Sequence, residues 1–151
     1  MYQFVDRPVP SLDYASRFFI WAMRGWVSAS SLGRCPCGTL GPVFLKWQMM
    51  DALPDFTMAM AHLNASATQQ LVFGQPCCGQ VHEIEAVLLT IHQQIWHGDT
   101  NTAKATAQQL FAPQSPSAFL IAMERYCHHL LSSPLAHFQL PTSASQSRPQ
   151  K

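Results

Sequence analysis

Four of the five cysteines in this 151-residue chain occur as two close pairs, each beside a proline and before a glycine. The first pair, Cys35 and Cys37, lies in the stretch GRCPCG, and the second, Cys77 and Cys78, lies in GQPCCG. Sulfur ligands can bind a soft metal ion, and paired thiols can cycle between the reduced form and a disulfide. The two pairs are therefore the residues most suited to bind a metal ion or to undergo redox chemistry.

The spacing within each pair determines which sulfurs can face one metal ion. In an extended loop, the side chains of residues i and i+2 point to the same side, so both sulfurs of the first pair can face one metal ion. Cys77 and Cys78 are adjacent, and their side chains diverge, so one of them joins such a site more easily than both. His82 follows Cys78 by four residues, which is one turn of a helix that begins near Cys78.

These positions predict a tetrahedral Cys3His site for zinc, with an iron–sulfur cluster or no metal as alternatives. The predicted ligands are Cys35, Cys37, one of Cys77 and Cys78, and His82. Glu85, one helical turn beyond His82, or the more distant His92 would then orient a metal ligand through a hydrogen bond.

The same cysteines allow two other interpretations. Both pairs lie near predicted helix N-termini, where the partial positive charge favours thiolate, so either pair could act in thiol–disulfide exchange or redox sensing. Free cysteine is also often a small buried apolar residue, in which case the two motifs only shape turns. Cys127, on the apolar face of the last predicted helix, is interpreted as a core residue.

Other catalytic and cofactor motifs have weak support. The chain contains three glutamates, and the Glu-x-x-His pairs of two-metal helical bundles are absent. A haem pocket would require His62 or His92 as the axial ligand, and nothing in the sequence distinguishes either. No G-x-S-x-G, P-loop or dinucleotide motif is present. A Cys78–His82 nucleophile pair lacks an evident orienting partner, so the sequence favours a non-catalytic role.

The composition predicts a single domain, part of whose surface contacts another protein. Hydrophobic residues make up 48% of the chain and charged residues 11%, against about 25% charged in average globular proteins. We therefore expect a protein partner or a second copy of the chain to cover part of the surface. The net charge is +1, and no basic patch is present, so nucleic-acid binding is not expected.

The longest apolar run, Phe18–Met23, lies between two arginines and is far shorter than the roughly 18 residues that span a bilayer. No export signal is visible at the N-terminus. We therefore expect a cytoplasmic protein without a membrane span, in which the cysteines are thiols or metal ligands rather than disulfides.

Hydrophobic periodicity predicts an all-α fold, a compact bundle of five to six helices over residues 1–131 with a flexible, disordered tail at 132–151. Prolines predict an extended segment over residues 1–10. The predicted helices cover about 12–30, 42–63 with a kink at Pro54, 78–97, 101–111 and 117–131. The first cysteine pair is then in a loop, 33–41, and the second pair is at the start of the third helix.

Together these observations predict a small zinc-binding helical protein with a structural, regulatory or adaptor role. In this hypothesis the metal joins the two cysteine segments. The alternatives are a thiol redox protein that uses one of the pairs, and a metal-free interaction module that dimerises through its weakly charged surface.

Overall fold

The computed structural model describes residues 2–67 and 70–137. Six α-helices contain most of these residues: α1 Tyr14–Ser31, α2 Pro36–Lys46, α3 Leu53–Ser66, α4 Glu83–Trp96, α5 Thr100–Phe111 and α6 Ser117–Leu131. Short 3₁₀ turns lie at Tyr2–Phe4, Val9–Ser11, Met50–Ala52 and Pro134–Ala136. No β-strand forms in the described part of the chain, where one isolated antiparallel bridge joins Pro8 to Gln80. The predicted all-α bundle is confirmed.

Helix α1 packs against α2, α3 and α4, as its apolar circumference predicts. It begins after Asp13, whose Oδ1 accepts a hydrogen bond from the backbone N–H of Ser16 at 2.7 Å. Ser11, two residues earlier, does not cap the helix, since its hydroxyl donates to the carbonyl oxygen of Pro8 and accepts from Arg7. The first helix therefore starts two residues later than predicted, because the Ser11 hydroxyl is already engaged.

The structure divides the predicted kinked helix into two helices. Helix α2 begins at Pro36, six residues before the predicted start, and includes Pro42. It ends at Lys46, and Gln48 then adopts a positive φ of 58°. Pro54 does not kink a continuous helix, since it lies in the first turn of α3. Proline suits that position because the first turn does not use its missing N–H.

The third predicted helix also begins later than expected, at Glu83 rather than near Cys78. Residues 79–81 instead form three backbone hydrogen bonds of 2.8–3.0 Å with residues 6–9. These bonds use backbone groups that a helix would need, and they hold the segment extended. The predicted helical ladder of Cys78, His82 and Glu85 is therefore wrong. The N-terminal segment is also not simply extended, since it contains two 3₁₀ turns.

The second half of the chain follows its apolar pattern closely. The apolar residues that recur at helical spacing in α4 and α6 are all buried: Ile84, Leu88, Ile91 and Ile95 in α4, and Leu120, Met123, Cys127 and Leu130 in α6. The packed region continues beyond the predicted limit at Leu131, because Leu135 in the following 3₁₀ turn is 3% exposed. The rest of the predicted disordered tail, residues 138–151, lies outside the described residues.

The described surface carries scattered large apolar side chains. Those most exposed include Leu32, Leu45, Val72 and Ile121. None of the helices within residues 2–67 and 70–137 has the length and hydropathy needed to cross a membrane. The coverage of this surface by a partner or a second copy stays a prediction.

Candidate functional site

The first cysteine pair lies at the N-terminus of α2. Cys35 is the N-cap residue, Pro36 occupies the first helical position, and both thiols of the pair are exposed. The neighbouring backbone N–H groups of Gly38 and Cys37 lower the pKa of the Cys35 thiol, and the Cys37 side chain contributes further. Cys35 therefore carries more thiolate at neutral pH than an ordinary cysteine.

Cys37 also links the start of α2 to α3. Its sulfur lies 3.6 Å from the hydroxyl oxygen of Thr57, near the middle of α3. This contact turns the first pair toward α3. Pro36, between the two cysteines, has one backbone dihedral fixed by its ring, which limits the backbone freedom of the pair.

The second cysteine pair lies in the irregular segment before α4. Cys77 is exposed, and Cys78 is half-buried. The Cys78 sulfur is 3.6 Å from Nε2 of His82 and 3.5 Å from the carbonyl oxygen of Gln80. The predicted proximity of Cys78 and His82 is therefore present, although an irregular segment produces it rather than a helix. A turn just before this segment is closed by a hydrogen bond from the Cys78 N–H to the Gln75 carbonyl oxygen at 2.9 Å.

A buried ion pair between Arg24 of α1 and Glu85 of α4 anchors this segment. Arg24 Nε donates to Glu85 Oε2 at 2.8 Å, and Arg24 Nη2 donates to Glu85 Oε1 at 2.9 Å. Arg24 is 3% exposed and Glu85 is fully buried. The guanidinium also donates to the carbonyl oxygens of Cys78, at 2.7 Å, and Gln80, at 2.8 Å. The ion pair thus holds the backbone on both sides of Gly79.

The carboxylate of Glu85 completes the network. It accepts hydrogen bonds from the backbone N–H groups of Gly74 and His82, each at 2.9 Å. Burial acts to raise the pKa of Glu85, but hydrogen bonds from Arg24 and the two N–H groups, together with the Arg24 charge, leave that pKa lowered. The hydrogen bond with Glu85 raises the pKa of Arg24. Both groups are therefore charged at neutral pH, and together they bind both ends of the segment 74–82.

Arg24 is absent from the predicted site residues, and Glu85 was predicted in a different role. Arg24 directly follows the most apolar run of a central helix, and a cation in such a position needs a buried acid. Glu85 is the glutamate inside the apolar seam of α4. An arginine and a glutamate that each lie among apolar residues of a helix therefore indicate a buried ion pair. Glu85 accepts hydrogen bonds from Arg24, Gly74 and His82, and its predicted role beside a metal ligand stays a prediction.

Gly74 makes a close backbone approach to Arg24. A Cβ atom at this position would lie 2.7 Å from Arg24 Nη2 and 2.9 Å from Arg24 Cζ. The guanidinium cannot move away without losing hydrogen bonds to Glu85. A side chain at position 74 would therefore disturb the whole network.

We expect Gly74→Ala to lower the free energy of unfolding by about 1–3 kcal/mol, as other overpacked substitutions do. Gly79→Ala is the matched control, because a Cβ there has no neighbour within 4 Å. Urea unfolding of both variants measures the difference. Equal stability of the two variants would contradict the close packing at Gly74.

The predicted metal ligands do not form one group. Among residues 2–67 and 70–137, no three His, Cys, Asp or Glu side chains are arranged to hold a metal ion. Cys78 contacts His82, whereas Cys37 of the first pair contacts α3. The zinc site and its iron–sulfur alternative stay predictions. Cys127 lies in the core as expected, where burial raises its pKa to about 12.

Comparison with known proteins found no match: no family model fits the chain, and no curated protein or solved structure is significantly similar to it. Function must therefore be inferred from the geometry of the described residues. That geometry offers an exposed thiol pair at Cys35 and Cys37, and a half-buried thiol beside an imidazole at Cys78 and His82.

Proposed function

We propose that this protein performs thiol–disulfide exchange, with Cys35 as the attacking thiol and Cys37 as the resolving thiol. The observation that carries the proposal is the position of Cys35 at the N-cap of α2, where the N–H groups of Gly38 and Cys37 lower its pKa. Reactive cysteines combine a lowered pKa with exposure, and Cys35 has both. Cys77 is exposed as well, but it lies in an irregular segment rather than at a helix N-terminus.

The proposed reaction transfers two electrons to a substrate disulfide. The Cys35 thiolate attacks one sulfur of that disulfide, a mixed disulfide forms, and the other substrate sulfur leaves as a thiolate. Cys37 loses its proton to solvent and attacks the Cys35 sulfur, which releases the second substrate thiolate. The two substrate sulfurs take up two protons, and Cys35 and Cys37 end as a disulfide. This role suits a reducing compartment such as the cytoplasm, in which the pair is returned to thiols.

Reaction of the reduced protein with oxidised glutathione tests the proposal. In the wild-type chain we expect a disulfide between Cys35 and Cys37, identified by peptide mass mapping. In Cys37→Ser the reaction should stop at a glutathione adduct on Cys35, because the resolving thiol is missing. Cys35→Ser should form neither product at a comparable rate. Cys77→Ser is the matched control and should behave as the wild type.

Alkylation rates at neutral pH provide a second measurement. Each unit by which a thiol pKa is lowered raises the thiolate fraction about tenfold but lowers nucleophilicity by about threefold, a net gain of about threefold. We therefore expect iodoacetamide to modify Cys35 faster than Cys77. Equal rates at the two positions would contradict the proposal. So would stoichiometric zinc in the purified protein that is lost in both Cys35→Ser and Cys78→Ser, since that result supports the metal hypothesis instead.

A further inference from the structure

A small cleft lies between the start of α1, the end of α4 and the 3₁₀ turn Pro134–Ala136. Its volume is about 180 Å³, and none of the cysteines lines it. A cavity of about 150 Å³ in another protein accommodates benzene. The cleft can therefore receive a molecule of about six to eight non-hydrogen atoms.

His92 forms part of the wall of this cleft. Its side chain is 3% exposed, and neither ring nitrogen has a hydrogen-bond partner among the described residues. One face of the ring stacks on Phe19 with 4.7 Å between the centroids, which restrains the ring. Buried polar atoms are nearly always paired, and the unpaired imidazole of His92 is an exception in the wall of the cleft. Both ring nitrogens lie just beneath the surface, so a ligand in the cleft reaches one of them after a small shift of the lining side chains.

The charges around the cleft indicate which ligand it would accept. Asp13 lines it, and no lysine or arginine does so within the described residues. Burial lowers the pKa of His92 to about 4, against the opposing influence of the Asp13 charge. The imidazole is therefore neutral at physiological pH, and one of its nitrogens is a hydrogen-bond acceptor. A carboxylate and a neutral acceptor together favour a cationic donor and disfavour an anion.

The lining also contains large apolar side chains. Trp96 and Leu135 lie along the same cleft, and they provide surface for a short hydrocarbon chain. An indole ring also attracts a nearby organic cation. The cleft thus combines acceptors for a charged N–H group with an apolar wall.

We propose that this cleft binds a small primary amine. The ammonium group donates hydrogen bonds to the unprotonated nitrogen of His92 and to the carboxylate of Asp13, and the alkyl chain contacts Trp96 and Leu135. This site is separate from the two cysteine pairs, so it is independent of the proposed thiol chemistry.

Calorimetric titration of the full chain with n-butylammonium at neutral pH and low salt tests the proposal. Butan-1-ol and butyrate serve as neutral and anionic probes of similar size. We expect saturable binding of butylammonium and at least about tenfold weaker binding of the other two, because charge-assisted hydrogen bonds distinguish them. Comparable binding of butylammonium and butan-1-ol, or no saturable binding of butylammonium, would overturn the proposal.

The chain offers a matched pair of charge variants. Asp13→Asn removes the charge at the cleft but retains a residue that caps α1 well. Asp99→Asn makes the same change at the cap of α5, at a residue that does not line the cleft. We expect about tenfold weaker butylammonium binding in Asp13→Asn and unchanged binding in Asp99→Asn. Equal weakening in both variants would show a general charge effect and would refute the site.

His92→Phe tests the imidazole directly. The ring and its stacking on Phe19 are retained, but the acceptor nitrogen is lost. We expect butylammonium binding to disappear, with an unchanged helical circular dichroism spectrum. Retained binding in a folded His92→Phe protein would refute the role of His92. If this variant does not fold, the comparison of the two aspartate variants still decides the question.

Discussion

Replacement of Glu85 by alanine is expected to lower the free energy of unfolding by about 3–5 kcal/mol, because it leaves a buried charge without its counter-ion. Arg24 is 3% exposed and donates four hydrogen bonds, two of them to Glu85. The substitution also leaves the backbone N–H groups of Gly74 and His82 without their acceptor. Urea unfolding followed by circular dichroism measures the loss.

Two variants distinguish the ion pair from a general effect of substitution. Glu83→Ala removes an exposed carboxylate two residues away, and we expect a change within about 0.5 kcal/mol. Arg24→Met combined with Glu85→Leu removes both charges, and we expect a smaller loss than Glu85→Ala alone, because no isolated buried charge remains. A Glu85→Ala protein as stable as Glu83→Ala would contradict the structure.

Glu85→Ala should also change the reactivity of the second cysteine pair. Arg24 and Glu85 together bind the backbone at Gly74, Cys78 and Gln80. When this network is lost, the segment around Cys78 should open more often. We therefore expect faster modification of the half-buried Cys78 thiol in Glu85→Ala than in the wild type, while the rate at Cys35 stays the same.

The second large effect is a loss of stability as the pH falls from about 6.5 to about 4. Burial lowers the pKa of His92 to about 4 in the folded protein, whereas an unfolded histidine has a pKa near 6.5. Between these values the unfolded state binds a proton that the folded state does not, so acid favours unfolding. The contribution of neutral His92 to the free energy of unfolding is fully present above pH 6.5 and is lost by pH 4. The shift corresponds to roughly 3 kcal/mol.

His92→Phe should remove most of the pH dependence in this window. It should also stabilise the protein at neutral pH, because two unpartnered ring nitrogens are replaced by apolar atoms and the cost of burying them disappears. The exposed His128 provides the control, and His128→Gln should leave the pH profile unchanged. Equal slopes in wild type and His92→Phe between pH 6.5 and 4 would contradict a neutral buried imidazole.

Glu85 affects the pH dependence of stability at lower pH than His92 does. The origin is opposite, because folding favours the charged form of Glu85 but the neutral form of His92. Its pKa is lowered in the folded protein, so its stabilising effect is present above the unfolded value and is lost as the pH falls through the folded value. Glu85→Ala should therefore change the acid limb below the range in which His92 titrates. The two groups can be separated by following unfolding over the whole range.

The helices of the second half were predictable because their signals are local. In α4 and α6 the inward residues recur at helical spacing, and α5 begins directly after Asp99, a residue type that favours helix caps. The boundaries around the cysteines were less predictable, because Pro36 and Pro42 both suit the first turn of a helix. The structure places Pro36 there, which makes Cys35 a cap residue rather than part of a loop.

The amino-acid sequence by itself determined the all-α class, the apolar faces of the helices, and the chemical types gathered in the two cysteine segments. Tertiary structure decided which of these groups meet. Arg24 and Glu85 are separated by 61 positions, and pairing over that distance depends on how α1 packs against α4. Their hydrogen bonds, with those of residues 6–9, hold the segment before α4 out of a helix. Helical periodicity describes one element at a time, whereas a buried charge is satisfied by whichever elements pack against it.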